Sequence, residues 1–179
     1  MKRALILLPV LLVATVGAAT TFVKVREALT QQRVEITAQW GQVDEALQER
    51  ASQIQNLYQN AQGLTEGEAV VGREIESARA ALTGGRPPRD KILANEKLSA
   101  ALAKLLVFSE NHPKLREDRE FLHFQDEVRR GEDRVAEERL KYNDLLEHYN
   151  ARIQSFPNNV VAKLSGFTRN DAYFHTERF

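Results

Sequence analysis

The residues best placed for chemistry in this chain are Glu120 and His123, three apart in Glu120-Phe121-Leu122-His123. On a helix that spacing puts a carboxylate and an imidazole on one face, the arrangement by which helical bundles hold a di-iron centre. Such a centre takes two of these motifs and two further carboxylates, and here the motif occurs once. Without those partners the coordination chemistry points to a solvated glutamate and a histidine on a helix flank. His112, His148 and His175 stand at no metal-ligand spacing to one another. Cysteine is absent, which removes disulfides, thiolate nucleophiles and cysteine-ligated metals together. Gly84-Gly85 runs into Arg86-Pro87-Pro88, not into the free amides of a helix N-terminus, so no phosphate cradle forms there. No metal, cofactor or catalytic group is expected, and the chain reads as a non-enzyme.

A second set of polar residues asks for partners rather than substrates. Arg50, Asn56, Glu132, Arg139, Asn143 and Asn150 fall on or beside apolar stripes, where burial without a partner costs about 1 to 3 kcal/mol per group. They are expected to form a hydrogen-bond and ion-pair network setting the register between the first and last long helices, as polar residues do at coiled-coil seams. The competing reading is a groove for a partner helix or peptide. Two of them belong to a repeat, Tyr142-Asn143 and Tyr149-Asn150. Seven residues are two helical turns, so the tyrosines share one face and so do the asparagines. The tyrosines are assigned to the inner face, and the asparagines are expected to pin their helix against the first.

The elements that must position these residues are helical throughout. Ile36, Trp40, Val43, Leu47, Ala51, Ile54, Tyr58 and Ala61 step by three or four, a buried stripe on one long helix ending near Gln62. Thr65-Glu66-Gly67-Glu68 is a capping-box pattern that starts a second helix with Val71, Ile75, Ala78 and Leu82 inward. Gly84 to Pro88 breaks the chain. Ile92, Leu98, Leu102, Leu105 and Phe108 mark a third helix, with Asp90 able to cap it and Asn111-His112-Pro113 closing it. The fourth runs from about Asp118 to Ser155, with Phe121, Phe124, Val128, Val135, Tyr142, Leu146, Tyr149, Ile153 and Phe156 inward, until Pro157. No segment alternates with period two. The fold class is all-α: an N-terminal transmembrane helix followed by an antiparallel bundle, its two long helices outreaching two shorter ones.

Composition sets the partners. Lysine plus arginine equals aspartate plus glutamate at 25 each, so no global field favours nucleic acid, and none is expected as a partner. Residues 4–23 carry no charge and span about 30 Å as a helix, roughly one hydrocarbon core. That run reads as an anchor in the lipid bilayer; a signal peptide cleaved near Val16-Gly17-Ala18 is the rival, given Lys2 and Arg3 ahead of it. Lys24 and Arg26 follow immediately, and helical periodicity begins with no polar linker, which suits an anchor. Flanking charges balance, so they assign no orientation. The domains are then an anchor over 1–23, a bundle over 24–167 and a tail over 168–179. In the tail Tyr173, Phe174 and Phe179 mix with charge; it folds back onto the bundle or frays, or it docks on a partner through its aromatics.

With these pieces in order the chain resembles the LemA family. The likeness rests on Trp40-Gly41-Gln42-Val43-Asp44 with Leu47, Arg50, Ile54, Asn56 and Leu57, then Ala78-Arg79, Glu110, Pro113 and Leu115. It continues through Phe121-Leu122, Gln125, Glu127, Glu132, Arg134, Arg139, Tyr142-Asn143 and Tyr149-Asn150 to Ser155-Phe156-Pro157, Ala162-Lys163 and Gly166-Phe167. The resemblance implies a single-pass protein of the bacterial inner membrane, with an antiparallel helical bundle, in a family without an established enzymatic activity. It also implies an outer N-terminus and an inner bundle. Ser52 and Gln55 depart from the aspartate and proline usual near the Asn-Leu pair, and Gly84 to Pro88 is richer in glycine and proline than the pattern. The function expected is interaction or assembly at the membrane, with an unidentified membrane-associated protein or with further copies of the chain. The alternative is an accessory subunit of a membrane-associated enzyme or transport complex.

Overall fold

A computed structural model describes residues 2–61 and 68–174, and the side chains among them except at 2–11, 14, 68 and 69. Among the described residues the chain forms six helices and no strand: α1 (Lys2–Ala61), α2 (Glu68–Thr83), α3 (Pro88–Glu110), α4 (Pro113–Arg116), α5 (Arg119–Gln154) and α6 (Asn158–Ser165). Four of these are the helices expected from periodicity. The capping-box residues Thr65 to Gly67 lie outside the described residues.

Local chemistry explains the boundaries. Pro88 opens α3 at a position where its missing N–H is no loss, and the Pro87 carbonyl accepts from the Asp90 and Lys91 amides at 3.0 and 3.2 Å. Asp90 therefore sits in the first turn of α3, where its charge suits the helix dipole, instead of capping it. Asp118 does cap: its Oδ1 accepts from the Glu120 and Phe121 amides, each at 2.9 Å. Two short helices were not expected. Proline at N1 starts the single turn of α4, and α6 follows Pro157 and ends at Gly166, whose φ of 73° lets the Phe167 amide reach the Ala162 carbonyl at 2.9 Å.

The described chain divides into two compact units. The larger comprises Ala38–Asn143 with Ala172–Phe179, and its helix directions follow from cross-helix pairs. Gln39 meets Glu138, Arg134 meets Glu45 and Glu49, and Asn60 meets Glu120, so α1 and α5 run antiparallel. Asp44 meets Lys91 and Arg50 meets Asn95, so α1 and α3 run parallel. Glu74 on α2 meets Lys104 on α3 across a tight connection. The result is an up-down-up-down bundle. Val43, Leu47, Ile54 and Leu57 of α1, Ile75 and Leu82 of α2, Leu98 and Leu105 of α3, and Phe121 of α5 fill its core.

Within this unit α2 approaches α1 at a glycine. A Cβ built on Gly72 would meet the hydroxyl and ring of Tyr58, and that tyrosine is itself buried. Gly72→Ala gains about 1 kcal/mol of helix propensity but forces a rigid buried ring aside, at about 1 to 3 kcal/mol. A net loss is expected, read as a lower midpoint in chemical denaturation; a raised midpoint would show that the tyrosine is free to swing out.

The smaller unit comprises Met1–Thr37 with Asp144–Asp171. Leu29, Ile36, Leu146, Tyr149, Val161 and Ala162 are buried there, and the Arg33 guanidinium lies 5.7 Å over the Phe167 ring, a cation–π contact. Phe156, expected on the inner face, is instead 83% exposed. The helix stops at Gln154, so residue 156 no longer follows the helical phase on which the expectation rested. α1 is unbroken through the uncharged run and beyond residue 24. No helix is long and apolar enough to cross a membrane among the described residues, and the side chains at 4–11 and 14 of that run lie outside them.

Candidate functional site

One feature of the 38–143 unit that could receive another group is a half-open cleft of about 590 Å³, lined by residues of α1, α3 and α5 and by Phe174. Arg50 lies at its base, with 3% of its surface exposed. Its Nη1 donates to Asn95 Oδ1 at 2.6 Å, and its Nη2 donates to Ser99 Oγ at 3.1 Å and Glu132 Oε1 at 2.8 Å. The Nε is buried and has no hydrogen-bond partner among the described residues. A charge this deep is tolerable only when paired, and Glu132, about half exposed, supplies the pairing from the solvent side. Gly131 beside it allows the approach, since a Cβ there would meet Gln53 and lie 3.5 Å from the Arg50 Cα. Arg139 lines the same cleft with no ion pair or hydrogen bond among the described residues.

One wall of the cleft is aromatic. Phe174 is 5% exposed, stacked on Trp40 with centroids 6.3 Å apart and edge-on to Tyr142 at the same separation. Trp40 and Tyr142 are 5.3 Å apart. The three form one cluster, and Asn143 holds the C-terminal segment in it: its Nδ2 donates to the Phe174 carbonyl at 3.0 Å, and its Oδ1 accepts the Phe174 amide at 3.1 Å. Burial pushes the Tyr142 hydroxyl up to about 12, with a smaller contribution from Tyr173. The folded state therefore holds its proton above pH 10, where an unfolded chain would lose it. Stability from this group is complete below about pH 10 and is lost as pH rises towards 12, about 2 to 3 kcal/mol in all. Titration of tyrosinate absorbance should show a late component that coincides with alkaline unfolding and shrinks in Tyr142→Phe; a late component unchanged in that variant would contradict it.

The smaller unit repeats the device. Asn150 Nδ2 donates to the Asn170 carbonyl at 2.7 Å, and its Oδ1 accepts the Asn170 amide at 3.0 Å. The Tyr149 hydroxyl donates to the Thr168 carbonyl at 3.0 Å, and burial raises its pKa against an opposing effect of Arg33. A pocket of about 290 Å³ beside them is lined by Arg33, Thr37, Tyr149 and residues 168–171.

The structure thus redistributes the six residues singled out from sequence. Arg50, Glu132 and Arg139 come together at the cleft. Asn143 and Asn150, expected to pin their helix to α1, each make a two-way clasp on the backbone of the C-terminal segment. A helical asparagine presents a donor and an acceptor side by side, which matches the N–H and C=O of one extended residue better than another side chain. Asn56 is exposed and enters no network among the described residues, since it lies to the side of the α1 stripe. Glu120 accepts from Asn60 at 3.3 Å, and His123 sits 3.5 Å from Glu127 on the surface. No group of three or more His, Asp or Glu suited to a metal ion occurs among the described residues.

Residues missed from sequence are Lys91, Asn95 and Ser99. They recur every four residues on α3, a polar line beside its apolar face, and that spacing was the available signal. Lys91 is 4% exposed and paired with Asp44. Chemically the cleft presents paired charges and an aromatic wall, means for holding a segment of protein in register.

A model of the LemA family matches residues 39–178. No curated protein matches the chain.

Proposed function

The chain belongs to the LemA family, and from that premise we propose that it is a membrane-anchored, non-enzymatic bundle that works through protein–protein contact or assembly at the bacterial inner membrane. The observation carrying this reading is the continuity of α1, Lys2–Ala61. An uncharged run of bilayer length passes into the buried stripe of a bundle within one helix, with no break in the secondary structure between them. A cleaved leader has no need of such continuity, whereas a tether that must present a bundle at a defined place does. The cleft supports the same reading, because Asn95, Ser99 and Glu132 are committed to holding Arg50.

The test is fractionation of cells expressing the full chain with a C-terminal tag. The protein should remain in the membrane pellet after alkaline carbonate washing at the mass of the uncleaved chain, 20.3 kDa plus tag, and deleting residues 4–23 should release it. Recovery of a shortened, soluble product from the intact gene would overturn the anchor. Protease added to spheroplasts then gives the side of the membrane on which the bundle lies.

A further inference from the structure

A surface feature of the 38–143 unit is left without a role by its core and by the cleft. On the outer side of α3, Leu93, Lys97, Ala100, Lys104 and Val107 recur at helical spacing and form a stripe distinct from the buried one. Leu93 and Val107 are 48% and 59% exposed and stand about 21 Å apart along the axis. Beside this stripe α2 contributes Val70, 51% exposed, with Arg73, Ser77 and Ala78. The two helices enclose a shallow groove of about 480 Å³. Its lining is small at Ser77, Ala78 and Ala100, so another backbone can approach closely, and the exposed Leu93 and Val107 continue the α3 stripe beyond it at either end.

The charge of this groove is one-sided. Arg73, Lys97 and Lys104 line it against the single carboxylate of Glu74, in a chain whose total charge is zero. Glu74 is committed to Lys104, at 2.7 Å, while Arg73 and Lys97 have no ion pair among the described residues. Small floor, apolar ends and cationic rims together describe a seat for a helix, with the contact made along a stripe and the specificity set by flanking charge.

We propose that the α2–α3 groove seats an amphipathic helix of a partner protein, its apolar stripe flanked by glutamate or aspartate. The proposal rests on the interaction reading above and names the chemistry of the partner. Leu93 and Val107 bind the ends of that stripe, and Arg73 and Lys97 meet the acidic flanks.

The test uses the full chain in non-ionic detergent and a labelled synthetic helical peptide of about 18 residues, long enough to cover the distance between Leu93 and Val107. One peptide carries a leucine–alanine stripe with flanking glutamates, and its twin carries lysines in their place. The acidic peptide should bind saturably, at least about tenfold more tightly than the basic one, with the preference falling steeply towards 1 M salt as screening shortens to about 3 Å. The double variant R73E/K97E, both positions exposed, should keep its circular dichroism and melting temperature and invert the preference. Equal binding of the two peptides, or an R73E/K97E variant that binds as the parent does, would overturn the proposal. So would displacement of the acidic peptide by anionic lipid vesicles with no peptide preference left, which would make the groove a lipid contact. Photo-cross-linkers at Ser77 and at exposed sites on other helices, in intact membranes, separate the two levels. Products elsewhere but none at Ser77 would sink the groove and leave the interaction reading standing; none anywhere would sink both.

Discussion

Glu132→Ala is expected to destabilise the bundle by about 3 kcal/mol, more than Arg50→Met does, and adding Arg50→Met to it should recover part of the loss. The asymmetry follows from burial. Glu132 is about half exposed while Arg50 is 96% covered at its side chain. Removing the glutamate strands a cation that is almost wholly covered and already has an unpartnered Nε; a buried pair broken from this side costs about 3 to 5 kcal/mol, with the low end apt because the cleft is half open and Asn95 and Ser99 still accept from the guanidinium. Removing the arginine instead leaves a carboxylate that can hydrate, and methionine refills most of the volume. Denaturant midpoints for the two single variants and the double variant give the coupling directly. Equal and additive losses would mean that the pair is an incidental surface contact.

The second large effect concerns the C-terminal segment. Phe174→Ala is expected to cost about 3 to 4 kcal/mol, in the range for a buried phenylalanine, although it lies among the last residues of a chain where truncation is usually harmless. The ring packs against both Trp40 and Tyr142, and its backbone N–H and C=O are both held by Asn143. Loss of the ring should therefore also loosen the segment after Asp171, opening it to protease and altering Trp40 fluorescence in the folded state. Asn143→Ala should give a smaller loss of about 2 kcal/mol, since the clasp goes but the ring can stay. A Phe174→Ala variant that melts with the parent would mean that the segment lies loosely on the bundle.

What was legible beforehand was what obeys a period. The α1 stripe from Ile36 to Ala61 could be read because each residue repeats the same helical phase, and all of it is buried except Trp40, which is partly covered by Tyr142 and Phe174. Phe156 failed on the same rule, lying two residues past the end of the helix that defined its phase. α6 was unread because eight residues after a proline are too few to show periodicity. Phe174 was unreadable for a different reason: its burial depends on Asn143, 31 residues earlier, and no local pattern carries such a pairing. Lys91 went unread because lysine is almost never fully buried without a counter-charge, and its counter-charge, Asp44, lies on another helix. Arg50 and Glu132 were legible as residues needing partners, but that they pair with each other follows from the antiparallel course of α1 and α5.

On the reading proposed above, this bundle acts by holding other proteins at a membrane. Cross-linking the full chain in intact membranes, beside a version lacking residues 4–23, tests it most directly. Discrete products that require the N-terminal run are predicted: a ladder of multiples of the chain if it assembles with itself, one dominant foreign band if it serves as an accessory subunit. An uncleaved, membrane-bound chain that yields no cross-linked product from any exposed helix face would contradict the claim.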